Sequence, residues 1–99
     1  MNYKISLEAS NDLEIIWIYT FNNWSVEQAD RYLNLIFDEI EYLCQNPEAG
    51  IDISFIREGY FQSRIKSHFV YYKINEKKDE IEIIRILHQQ MDLENRLID

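Results

Sequence analysis

The hydrophobic period of this chain switches at Gly50, and that switch limits what it can fold into. Before Gly50 apolar residues recur mainly every three to four positions, and after it every second position. Leu13, Ile16, Trp17, Thr20, Phe21 and Trp24 lie on one helical stripe, with Ser10 or Asn11 placed to cap its start. Asn22-Asn23 interrupts the pattern, and Ser25-Val-Glu-Gln28 is a capping box that opens a second helix. Ala29, Leu33, Ile36, Phe37, Ile40, Leu43 and Cys44 form the apolar stripe of that helix, and Asn46-Pro47-Glu48-Ala49-Gly50 stops it. The short connection predicts an antiparallel helical hairpin. Ile15, Ile18 and Tyr19 fall outside the first stripe, so that helix is either buried on two sides or meets a partner.

The remaining segments read as strands. Residues 3–7 alternate apolar and polar at the start of the chain. Phe61, Ser63 and Ile65 alternate with Gln62, Arg64 and Lys66, and Lys66-Ser67-His68 reads as a turn. Phe69 to Asn75 is rich in strand formers, Glu76 to Asp79 is turn-like, and Glu80 to Leu87 is the most apolar strand. Apolar residues on both faces of that last strand predict a central position with both faces covered. Met91 to Asp99 is spaced for a helical turn or two. The expected architecture is one α+β domain over residues 1–99: an N-terminal strand and a helical hairpin packed on a mostly antiparallel sheet.

Charge narrows the function. Residues 1–50 hold nine acidic side chains against Lys4 and Arg31, and the whole chain carries −8. Proteins that grip a phosphate backbone draw most of their binding energy from Lys and Arg, so sequence-specific nucleic-acid binding is not expected. Arg57, Arg64, Lys66 and Lys73 oppose only Glu58 within residues 55–75, which leaves room for a small basic patch. Two histidines 20 residues apart and a lone Cys44 provide no metal-binding spacing, and two glycines provide no phosphate loop. No cofactor and no metal are expected. The absence of a long apolar run or a signal-peptide pattern, together with the single cysteine, points to a cytoplasmic protein that does not span a membrane.

Several residues invite a functional reading. Arg85 interrupts Ile-Ile-Arg-Ile-Leu and requires either a carboxylate, from Asp92 or a helix, or an open groove. Arg64 and Lys66 share one face of a strand, and Arg85 joins them only if Ile84 and Ile86 face the helices. His68 lies at a turn and His88 at a strand end; each reads either as a proton carrier or as a backbone-bonded structural residue. Cys44 continues a core stripe and reads as inert. Trp17, Tyr19, Phe21, Trp24, Tyr32 and Phe37 could stack bases, but their helical spacing assigns most of them to the core.

Six short segments together carry a family resemblance. Trp17-Ile-Tyr-Thr20, Trp24-Ser-Val-Glu-Gln-Ala29, Asn46-Pro-Glu-Ala-Gly50 and Ile56-Arg-Glu-Gly-Tyr60 are four of them. Ser67-His-Phe-Val-Tyr-Tyr72 and Ile84-Arg-Ile-Leu-His-Gln-Gln-Met-Asp92 complete the series. In order and spacing they resemble the ParE branch of the RelE/ParE toxin superfamily, from about Tyr3 to Leu97. The resemblance implies the toxin of a bacterial type II toxin–antitoxin pair, acting on DNA gyrase and neutralised by a ParD-type antitoxin. The RelE branch instead cleaves mRNA on the ribosome.

Chemistry separates the two branches. RNA cleavage needs an acid, a base and cations about the phosphate. RelE-type enzymes carry an arginine where this chain has Phe69, and a second where it has Gln89. They also carry a C-terminal tyrosine, whereas no tyrosine follows Tyr72 here. A non-enzymatic toxin is therefore expected. The alternatives are a RelE-type endonuclease using His88, Arg64 and Arg85, or a relic that only binds antitoxin. The expected target-binding residues are Arg64, Lys66, Arg85, His88, Met91 and Asp92, and the expected antitoxin-binding residues are Ile15, Ile18 and Tyr19. Because the toxin is itself acidic, the antitoxin interface is expected to be apolar, with a few local arginine contacts.

Overall fold

A computed structural model describes residues 1–90 of the chain. Strand β1 (Asn2–Ile5) leads into helix α1 (Leu7–Asn23) and helix α2 (Val26–Gln45), followed by β2 (Ile51–Asp52), β3 (Tyr60–Ile65), β4 (His68–Asn75) and β5 (Glu80–His88). The sheet order is β1-β5-β4-β3-β2, with β1 parallel to β5 and every other pairing antiparallel. The α+β expectation holds, with two refinements. A two-residue strand, β2, follows Gly50, and β4, rather than β5, occupies the middle of the sheet. The helical segment expected at 91–99 lies outside the described residues.

Helix α1 begins earlier than the stripe implied. Its N-cap is Ser6, whose hydroxyl accepts from the Ala9 amide at 3.0 Å, in place of Ser10 or Asn11. The buried stripe is accordingly Ala9, Asp12, Leu13, Ile16 and Thr20. Tyr19, Phe21 and Trp24 are exposed, and Trp17, Tyr32 and Phe37 are only half-buried, so the aromatic set lies around the core rather than in it. Helix α2 follows its pattern closely: Ser25 caps it by accepting from the Gln28 amide, and Ala29, Ile36, Ile40, Leu43 and Cys44 are buried. The Trp17 indole donates to Asp30 at 2.9 Å and ties the two helices together.

The sheet has a cluster on each face. Ile65, Val70, Tyr72, Ile81, Ile83 and Ile86 meet the hairpin. Ile53, Tyr60, Tyr71 and Leu87 form a second cluster with Ile56, Phe69 and Ile84 on the other face. The segment between β2 and β3 covers that face, so both faces of β5 are covered, as its sequence requires. Tyr72 holds the turn after α2: its hydroxyl donates to the Pro47 carbonyl at 2.8 Å and accepts from the Gly50 amide at 3.0 Å. A Cβ at Gly50 would lie 2.5 Å from that hydroxyl oxygen, so only glycine fits the approach.

A bulge in β5 fixes how α1 sits. Tyr71 pairs with Arg85 but Tyr72 pairs with Ile83, leaving Ile84 as the extra residue. β1 ends beside Ile83, so among the described residues β5 has no neighbouring strand on that side from Ile84 onward. Ser6 donates from its hydroxyl to the Ile84 carbonyl at 2.8 Å, and the Asp12 carboxylate accepts from the Ile86 amide at 2.9 Å. Both groups are thereby satisfied by the start of α1.

Candidate functional site

Asp12 of α1 and Arg85 of β5 form a two-point ion pair across the two layers. Arg85 Nε donates to Asp12 Oδ2 at 2.8 Å, and its Nη2 donates to Oδ1 at 2.9 Å. With the Ile86 amide, this buried carboxylate receives three hydrogen bonds from the described residues. The requirement for a carboxylate is met by a helix acid. Arg85 does not join Arg64 and Lys66, which corrects its placement in the target-binding cluster. The bulge is the reason: Ile86 packs under the helices but Ile84 packs on the other face, so simple alternation fails at Arg85.

Arg64 lies at the opposite edge of the sheet core, on the face away from the helices. Its Nε donates to the Lys66 carbonyl at 2.7 Å and its Nη2 to Gln89 Oε1 at 2.8 Å, and its guanidinium lies 5.8 Å from the Phe69 ring centre. A planar cation held at two points over an aromatic ring is pre-oriented for an anionic or carbonyl-rich surface. Lys66 sits in the turn with a left-handed backbone (φ 54°) and is exposed. The same face carries a second cation–aromatic group that alternation alone does not pick out. Arg57 and Lys73 lie 6.0 and 5.7 Å from the Tyr60 ring centre. Phe55, 83% exposed, projects from the segment covering this face. The local excess of cations in residues 55–75 was the available signal.

His88 is directed elsewhere. It pairs across the strands with His68, their rings edge to face at 5.2 Å, and its Nδ1 accepts from the Gln90 amide at 3.2 Å. His68 Nδ1 lies 2.6 Å from the Tyr32 hydroxyl of α2, so this histidine pair belongs to the helix side of the sheet. Arg64 and His88 thus occupy opposite faces. Met91 and Asp92 lie outside the described residues.

Burial lowers His68 to a pKa of about 4, helped by the neighbouring His88 and opposed by Asp12. A lowered histidine value means that the unfolded chain binds more protons between about pH 6.5 and 4. Stability is therefore full above about pH 6.5 and falls as the pH drops toward 4. After discounting for solvent screening, the loss is about 1–2 kcal/mol. Urea unfolding at pH 7 and pH 4.5 should show it, and His68→Gln should flatten the histidine part of the profile.

The outer face of the hairpin is the second surface. Leu7, Ile15, Ile18, Tyr19 and Phe21 are 75, 63, 45, 61 and 43% exposed, and Tyr19 meets Trp24 edge to face at 6.3 Å. These exposed apolar side chains are spread along the outer side of α1. Among the described residues no helix is long and apolar enough to cross a membrane.

The chain is thus a small α+β domain with a helical hairpin on one face of its sheet and a group of cations and aromatics on the other. The model of the family described as "ParE toxin of type II toxin-antitoxin system, parDE" matches residues 3–93. Toxin ParE1 of Mycobacterium tuberculosis is 35% identical over 95 residues, covering 96% of each chain. Toxin ParE1 of Caulobacter vibrioides is 37% identical over 90 residues, covering 91% of each. A solved chain of the chromosomal ParDE toxin–antitoxin system from P. aeruginosa superposes with a TM-score of 0.73 at 20% identity, covering 89% of this chain and 95% of the other. The chain belongs to the ParE toxin family of type II toxin–antitoxin systems.

Proposed function

We propose that this toxin acts in the cytoplasm by binding and inhibiting DNA gyrase, without catalysing a reaction, and that a ParD-type antitoxin neutralises it. The observation that carries this reading is the separation of the polar groups. Arg64 is fixed on the outer face of the sheet, His88 and the Tyr32–His68 pair lie on the helix face, and Arg85 is chelated by Asp12. Acid–base catalysis of phosphodiester cleavage needs a proton-transfer group and cations around one phosphate. The orientation of these side chains favours recognition by Arg64, Lys66 and the Tyr60 cations instead. The test adds purified toxin to a gyrase supercoiling reaction, with and without its antitoxin. Dose-dependent inhibition that antitoxin reverses supports the proposal, and unchanged supercoiling with cleaved mRNA in a translation extract overturns it.

The antitoxin is assigned to the exposed hairpin face, around Ile15, Ile18 and Tyr19. Among the described residues β2 pairs only with Phe61 and Gln62, so β3 from Ser63 to Ile65 offers an edge to an extended antitoxin segment as well. Ile18→Asp should weaken antitoxin binding at least tenfold by calorimetry, because a charge would be desolvated in an apolar contact. Its thermal midpoint should stay unchanged, since Ile18 is 45% exposed.

A further inference from the structure

We infer that the antitoxin segment seated on the hairpin is a basic amphipathic helix, with Lys and Arg flanking its apolar stripe. The inference rests on the assignment of antitoxin to this surface and adds its chemistry. Helix α1 contains Glu8, Asp12 and Glu14 and no lysine or arginine. Helix α2 contains Glu27, Asp30, Asp38, Glu39 and Glu41 against Arg31 alone. Asp12 is buried and paired with Arg85, so it adds little to the outer field. Asp30 accepts from the Trp17 indole and Glu39 from the Ser63 hydroxyl, which leaves the exposed Glu8 and Glu14 as the carboxylates that a partner on α1 meets.

The geometry selects a helix. Leu7, Ile15 and Ile18 are exposed and, with Asn11 and Asn22, occupy positions 7, 11, 15, 18 and 22 of one helical face. This is a second amphipathic face on α1, turned away from the face that carries Ala9, Leu13, Ile16 and Thr20. Glu14 adjoins the stripe on one side and Glu8 on the other, both exposed. A helix laid along it brings its own flanking positions opposite these carboxylates. Acidic flanks there would place like charges together at a closing interface, whereas Lys and Arg pair with them and also speed association.

The experiment uses two synthetic peptides of roughly 20 residues. They share one Leu/Ala stripe and differ only in flanks of Lys/Arg or of Glu. Each is labelled and titrated with the full toxin by fluorescence anisotropy, at low salt and at about 0.15 M. The basic peptide should bind at least tenfold tighter, with an advantage that shrinks as salt rises. Glu8→Lys with Glu14→Lys should abolish that advantage. Glu76→Lys with Asp79→Lys, the same charge change placed in the β4–β5 turn, should leave most of it. Equal or tighter binding of the acidic peptide overturns the inference. So does a preference that the two charge variants reduce equally, because bulk charge would then be its source. Antitoxin binding read separately with Ile18→Asp keeps the two ideas apart. If that variant binds antitoxin normally, the site assignment fails, and if it does not, only the peptide result decides the charge of the segment.

Discussion

Asp12→Ala should cost about 2–4 kcal/mol of folding stability, because it removes the buried carboxylate that accepts two hydrogen bonds from the partly buried Arg85 guanidinium. It also orphans the Ile86 amide at the edge of β5 beyond the bulge. In a domain of this size, whose total stability is on the order of 5–15 kcal/mol, that is a large share. Urea denaturation read by tryptophan fluorescence and circular dichroism gives the number. The double variant Asp12→Leu with Arg85→Leu should recover most of the loss, since replacing both partners of a buried pair with apolar groups is often neutral. A double variant as unstable as the single one would show that the Ile86 amide, rather than the ion pair, dominates. Arg85 is in this account the anchor of α1 on the sheet.

The largest functional effect is expected at Arg64. Arg64→Glu reverses a cation that Gln89 and the Lys66 carbonyl hold over Phe69, and toxicity should fall at least tenfold, about 1.4 kcal/mol of target binding or more. His88→Ala should reduce toxicity only a few-fold, because His88 lies on the helix face beside His68. A general acid or base at that position would be worth about 10²–10⁴-fold. Induction titrations of the two variants, with folding checked by antitoxin binding, separate these outcomes. A near-complete loss for His88→Ala with little change for Arg64→Glu would reverse the assignment.

The parts of the fold that were legible in the sequence are those where one signal controls one element. Helix α2 has a capping box, a single apolar stripe and a Pro–Gly stop, and its observed bounds follow all three. The β3–β4 hairpin was legible because Phe61, Ser63 and Ile65 alternate without a break and turn the helix-facing side chains inward. Helix α1 was less legible because it has two apolar faces. Its start at Ser6 depends on hydrogen bonds to Ile83 and Ile84, which are distant in sequence, so local spacing could not set it. Arg85 was misplaced because a bulge leaves no signature in a run of isoleucines. The cation–aromatic group of Arg57, Tyr60 and Lys73 is assembled by the return of β4 beside β3 and is not a motif in the chain. Asp12 carries no apolar signal in the sequence, and only the packing of α1 on β5 reveals it as core.

The central claim is that a member of the ParE family with this arrangement acts on DNA topology by binding and not on RNA by cleavage. The most direct test induces the toxin alone in a bacterial host and follows plasmid supercoiling and mRNA integrity in the same cultures. The account predicts loss of negative supercoiling or trapped DNA breaks before any change in mRNA, both prevented by co-expressed antitoxin. Early mRNA cleavage with normal plasmid topology would contradict it.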